Sequence, residues 1–219
     1  AQVIPATGAF TLEAWVNATS SGASTYSLIA SQGTGANRFY VKRYGGNLMA
    51  YRDQDNATTE VTCGALPADQ WVHIALSFDA TNVNCFVNGT KIFTSAFAWG
   101  NKTVGTGFYV GQYSAAPSDA SSYFKGGIDQ VKIWNTAITD ASIIARSMHM
   151  HADTDSVGTV SGLTNLFDFN ESTSNSTVSD LVGNTALSTT NAPSRSPIAV
   201  TTTVGGNTVY TFKRSYLTG

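Results

Sequence analysis

The chain has 219 residues, enough to bury a core in a single all-β domain. Only 12% of residues are charged and the net charge is -2, so Ser, Thr, Asn and Gly must carry the surface. This balance speaks against a nucleic-acid partner, which calls for a basic patch, and no apolar run approaches the roughly 18 residues of a membrane insertion.

The opening stretch AQVIPATGAF has neither a charged n-region nor an apolar h-region. Export is expected either through a signal already removed or by another route, such as assembly into a particle. Val3-Ile4-Pro5 reads as a short strand. Gly8–Asn17, GAFTLEAWVN, reads as a strong one: Phe10, Leu12, Ala14 and Val16 share one face, and Trp15 on the other suggests that both faces are covered. Further strands are expected over Ser27–Ser31, Arg38–Lys42, Leu48–Arg52 and Glu60–Cys63, with Gly45-Gly46 turning one hairpin. Val72, Ile74, Leu76 and Phe78 alternate with His73, Ala75 and Ser77, and Val83–Val87 returns after the turn Asp79–Asn82. Strands over Lys91–Phe97 and Phe108–Gln112 follow.

Ile128, Val131, Ile133 and Trp134 break strict alternation, which predicts a bulge or cover on both faces there. Thr139–Ser147 has helix signals: Thr139 as N-cap, Asp140 in the first turn, and Ile138 with Ile143 as a hydrophobic staple. Leu163–Phe169 reads as a closing strand of the same sandwich, with the start of a second, truncated module as the alternative. Pro193–Pro197 reads as a linker, and Ile198–Val204 with Thr208–Lys213 as a hairpin around Gly205–Asn207. The expected division is therefore a sandwich over 1–192 and a linker with β-hairpin extension over 193–219. Cys63 and Cys85 permit one disulfide, or equally two small buried thiols.

Three stretches carry a family resemblance: FTLEAWV at Phe10–Val16, WVHIALSFDATNVNCFVNG at Trp71–Gly89, and FKGGIDQVKIW at Phe124–Trp134. They resemble the concanavalin A-like sandwiches of the laminin G and pentraxin type. The resemblance spans roughly Val3–Asn191. It implies an antiparallel jelly-roll β-sandwich, here with one short helix. It does not extend to the pentraxin disulfide, since Ala14 and Ala75 stand where that family has its cysteines.

Catalysis finds little footing. Sandwich glycosidases of related fold resemble one another through an E-x-D-x-x-E strand that places carboxylates on one face, whereas Glu13, Glu60 and Glu171 are isolated here. His149 and His151 flank Met150, where solvated histidines at a helix end are the plainer reading. Calcium is a better-founded cofactor. The resemblance implies ligands in loops at Asn37 and Asp119, although Tyr113, Ser114 and Ala115 follow Gly111-Gln112 in place of consecutive acids. A separate loop, Asp53-Gln54-Asp55-Asn56, offers oxygen ligands at Asp53 and Asp55, and ordinary Asx-turn chemistry explains the same residues. Carbohydrate binding rests on aromatic rings, which stack on a sugar's apolar face while neighbouring polar groups take its hydroxyls. The candidates are Trp99, Tyr113, Tyr123, Tyr51 and Tyr26, with Tyr44 beside them; packing on the sandwich rim is the competing explanation for each.

The expected function is a non-catalytic recognition or adhesion module for a glycan or glycosylated surface, displayed outside a cell or on a viral particle. The alternative is a structural or decoration subunit of a virion, appendage or filament, joined to copies of itself or a larger assembly through the C-terminal hairpin.

Overall fold

The computed structural model describes residues 2–5, 8–22, 26–54, 57–97, 105–113, 123–141, 144, 161–171, 177–183, 185–188, 194–204 and 208–218. Its strands are β1 (Phe10–Ala18), β2 (Ser27–Thr34), β3 (Asn37–Tyr44), β4 (Asn47–Gln54), β5 (Ala57–Ala65), β6 (Val72–Phe78), β7 (Asn82–Val87), β8 (Thr90–Ala96), β9 (Phe108–Val110), β10 (Gly126–Trp134), β11 (Leu163–Phe167), β12 (Thr177–Ser179), β13 (Ala186–Ser188), β14 (Ser194–Val204) and β15 (Thr208–Thr218). They form two antiparallel sheets and a small ribbon. The larger sheet runs β14-β15-β10-β1-β6-β7-β8, with β11 also on β10; the smaller runs β5-β4-β3-β2-β9; β12 pairs with β13.

Alternation along the strands builds the core between the sheets. Phe10, Leu12 and Ala14 of β1 and Ile74, Leu76 and Phe78 of β6 point inward, and Phe39 and Val41 of β3 meet them from the smaller sheet. At the centre, Phe10 stacks on Phe78 with centroids 4.6 Å apart. Phe39 meets both edge-on, at 5.7 and 5.3 Å. Such geometry adds to the gain from burying the rings. Cys63 of β5 and Cys85 of β7 are joined, Cα atoms 5.8 Å apart, so a covalent tie crosses from one sheet to the other. Closing a loop of 22 residues contributes about 3 kcal/mol on the chain-entropy account.

The larger sheet is covered on its outer side as well. Ala75, Phe86 and Trp134 pack there with Ile138 and Ile144 in a second apolar cluster. Every residue of β6 is therefore buried. The same face holds Glu13 and His73, both buried, with a carboxylate oxygen 3.3 Å from Nε2 and Trp15 edge-on to the imidazole. The irregular pattern of β10 has the expected causes. Its register against β1 shifts between Glu13 and Trp15, and Gln130 takes a positive φ of 49°. Trp134 belongs to the second cluster, whereas Trp15 and Trp71 are half-buried.

Several expectations need correction. The helix over Thr139–Ser147 is not supported. Its described residues show a helical bond from Ile144 N–H to the Asp140 carbonyl at 3.3 Å, and residues 142, 143 and 145–147 lie outside the described residues. Two turns have few internal bonds, and the described Ile138 and Ile144 pack in the second apolar cluster. Val3 and Ile4 are not a strand. Their amides donate to the Gln32 side-chain oxygen at 2.9 and 2.7 Å, and Gln32 Nε2 donates back to the Ile4 carbonyl, so one buried amide does the work of a ladder. Residues 194–197, expected as a linker, are part of β14, where Pro197 is accommodated because β14 is an edge strand.

The stretch Ser179–Leu181 is fastened by Asp180. Its buried carboxylate accepts from the Asn165 side chain, from Leu166 N–H at 3.0 Å, and from the N–H groups of Val182 and Gly183 at 3.1 and 2.9 Å. This ties the connection between β12 and β13 to β11. Asp180→Ala strands those donors, and a loss of about 3 kcal/mol is expected in urea unfolding; unchanged stability would show that the turn holds without its carboxylate.

Candidate functional site

β3 reads Asn37-Arg38-Phe39-Tyr40-Val41-Lys42-Arg43-Tyr44. With Phe39 and Val41 committed to the core, Arg38, Tyr40, Lys42 and Tyr44 occupy the outer face. Register carries this face across the sheet. Tyr109, Ser31, Tyr40, Tyr51 and Glu60 stand opposite one another in turn on β9, β2, β3, β4 and β5. Beside that row, Arg38 pairs with Asp53, and Asp53 with Thr58.

The rings form two stacked pairs: Tyr40 with Tyr51, centroids 4.3 Å apart and 8° from parallel, and Tyr26 with Tyr44, 4.5 Å and 14°. Tyr113 meets Tyr40 edge-on at 6.2 Å. Between the pairs lies Lys42, only 1% exposed, its Nζ 4.3 Å from the Tyr26 centroid and between 5.6 and 5.7 Å from those of Tyr40, Tyr44 and Tyr51. Its ammonium donates to Glu60 at 2.6 Å. At the other end, Arg38 lies 3.3 Å from the Asp53 carboxylate and donates to the hydroxyls of Tyr113 at 3.0 Å and Tyr51 at 3.3 Å. Each cation thus meets both a carboxylate and ring faces.

Burial pushes the Tyr40 hydroxyl well above the ordinary phenol range; Tyr51 adds to the rise and Arg38 offsets part of it. Tyr40 therefore stays neutral, keeping its O–H donor, at any ordinary pH. Burial alone would lower Arg38, but its bonds to the Tyr113 and Tyr51 hydroxyls hold it above the usual value, so it stays charged. Tyr26 and Tyr44 are 47% and 39% exposed, and Glu60 and Thr62 are exposed at the β5 edge. The face combines reachable ring surface with hydroxyl, carboxylate and guanidinium groups.

Of the sugar candidates, Tyr26, Tyr51 and Tyr113 come together on this face. Tyr123 lies near the Tyr26 end, where its carbonyl accepts from the Ser27 hydroxyl at 3.4 Å. Trp99 lies outside the described residues, as do Asp55, Asp119, His149 and His151. Asn37 opens β3 opposite Gln54, and its carbonyl accepts from Gly105 N–H at 3.0 Å. That approach requires Gly33, at φ +80°, where an added Cβ would lie 2.2 Å from the Asn37 oxygen. Of the calcium candidates, Asp53 has the Arg38 guanidinium 3.3 Å away, a neighbour that opposes a cation at that carboxylate. Among the described residues, no three His, Cys, Asp or Glu converge as metal ligands.

Sequence reasoning sought aromatics in loops and so missed Arg38, Tyr40, Lys42 and Glu60. The alternation R-F-Y-V-K-R-Y was the available signal: a strand with aromatic and cationic residues at every second position presents them together.

No curated protein sequence matches the chain. Among solved structures, it is similar to a proposed carbohydrate binding protein from Bacteroides ovatus, with 19% identity and a TM-score of 0.58 over 83% of this chain and 54% of that one. It thus spans about half the length of that protein. It is also similar to the CBM40 of a Ruminococcus gnavus IT-sialidase, solved with α2,3-sialyllactose bound, at 16% identity and a TM-score of 0.53, covering 64% of this chain and 82% of that one. A heptameric pentraxin from Limulus polyphemus matches at 16% identity and a TM-score of 0.46, over 63% of this chain and 70% of that one. At these identities the likeness is one of fold. A family model of the laminin G type matches residues 1–144, most of the chain, and with the two-sheet architecture it makes this protein a member of the concanavalin A-like lectin/glucanases superfamily.

Proposed function

We propose that this chain is a non-catalytic recognition module that binds carbohydrate on the outer face of the smaller sheet, outside the cell or on a surface. The observation that carries the reading is the tyrosine field built on β3 and β4: two stacked ring pairs interleaved with Arg38, Lys42, Asp53 and Glu60. A sugar ring has an apolar face and a rim of hydroxyls, and this surface offers a partner to each. The packed core holds the strands, so little ordering is required when a ligand docks. The sialyllactose bound by the CBM40 of similar fold lends support as analogy.

Affinity electrophoresis against a panel of polysaccharides tests the reading. Tyr26→Ala and Tyr44→Ala remove exposed rings, and each is expected to weaken binding about tenfold, or about 1.4 kcal/mol, in a variant whose cooperative unfolding shows that it is folded. Wild-type mobility unaltered by every polysaccharide would sink the proposal. Repeating the runs with chelator reads any calcium contribution, with Asn37, Asp53, Asp55 and Asp119 as the candidate ligands.

A second reading, a subunit that assembles through its C-terminal hairpin, has its own observation. β14 and β15 pair over their full length, from Ser194 opposite Thr218 to Val204 opposite Thr208. They join β10 only through Gly127 with Thr218 and Ile128 with Leu217, which leaves β14 as an edge strand. Edge strands accept further strands. On this reading, light scattering finds an oligomer that reverts to a folded monomer once residues after 193 are removed; a full-length monomer would argue against it.

A further inference from the structure

We infer that the tyrosine face selects neutral glycans and discriminates against carboxylate-bearing ones, an inference that rests on the carbohydrate reading above. Acidic sugars are ordinarily held by a cation free to form a charge-assisted, often bidentate, pair with the ligand carboxylate. The described cations of this face are already engaged. Lys42 is 1% exposed, enclosed by four tyrosine rings, and its ammonium is 2.6 Å from Glu60. Arg38 is reachable, with 30% of its side chain exposed, but Asp53 lies 3.3 Å away and the Tyr113 and Tyr51 hydroxyls take further donors.

Arg38 and Lys42 are thus balanced by Asp53 and Glu60, and the exposure of the two ion pairs is lopsided. In the second pair the anion is outermost: the Glu60 side chain is 42% exposed and its lysine is buried. At the Glu60 end an incoming carboxylate meets the anion first, and at the other end, where Arg38 is the more exposed partner, it competes with Asp53 and the two tyrosine hydroxyls for the guanidinium. A neutral sugar meets no such barrier. Its hydroxyls can donate to Glu60 and accept from the tyrosine hydroxyls, and its apolar face can rest on Tyr26 or Tyr44.

The test compares each neutral polysaccharide with the same polymer after oxidation of its primary hydroxyls to carboxylates, by affinity electrophoresis at low and moderate salt. The expected result is binding of a neutral form and at least tenfold weaker binding of its oxidised form. Equal or tighter binding of the oxidised form would overturn this inference and leave the carbohydrate reading standing. No binding of either form across the panel would overturn both. Asp53→Asn supplies a gain-of-function arm, because it frees Arg38 with little change in shape. It is expected to raise affinity for the oxidised polymer about tenfold, with the thermal unfolding midpoint recorded to confirm a folded variant. No gain in a folded variant would count against the assignment of Asp53 as the group that occupies Arg38.

Discussion

The strict two-residue period of β3 is the constraint on which the rest depends. Phe39 and Val41 are fully buried between the sheets, and Phe39 is set edge-on against the Phe10–Phe78 stack. Once they are committed, the pleat leaves Arg38, Tyr40, Lys42 and Tyr44 no other side. A one-residue slip would turn Arg38 and Lys42 into the apolar core and the phenylalanine out of it, so the core that stabilises the fold also enforces the composition of the outer face. Site and core are two faces of the same strand.

The two sheets use their outer faces differently. On the larger sheet, Ile138 and Ile144 close over Ala75, Phe86 and Trp134, and the buried Glu13–His73 pair lies on the same side. On the smaller sheet, the outer residues are aromatic and charged, with exposed rings at the Tyr26 end and an exposed carboxylate at Glu60. Burying Lys42 would be costly in an apolar setting. Here four ring faces and one carboxylate replace its water, and the lysine in turn holds the rings in a fixed array. That rigidity suits a surface that recognises a ligand without moving.

Much of the fold was legible because its signals are local. Alternation in FTLEAWV and WVHIALSF specified two neighbouring strands. The broken alternation after Ile128 pointed to a bulge or to cover on both faces, and the strand has both. What escaped the sequence depended on partners distant along the chain. Val3 and Ile4 look like a strand, yet the buried Gln32 amide holds them. Residues 194–197 look like a linker because Pro197 interrupts them, yet an edge position tolerates the missing donor. The candidate site was legible in part. Tyr26, Tyr51 and Tyr113 stood out as aromatics in polar surroundings. Tyr40 and Lys42 sat inside a strand and looked like ordinary alternation, because register, which sets Tyr51 and Glu60 beside them, is a property of the sheet rather than of any one segment.

Whether ligand meets this protein on the outer face of β3 and β4 is tested most directly by an NMR titration with a neutral oligosaccharide that follows the tyrosine ring and strand amide signals. Saturable shifts concentrated at Tyr26, Tyr40, Tyr44 and Tyr51 and at the amides of β3 and β4 are expected. Saturable shifts confined to other parts of the molecule, with these rings unmoved, would contradict binding at this face.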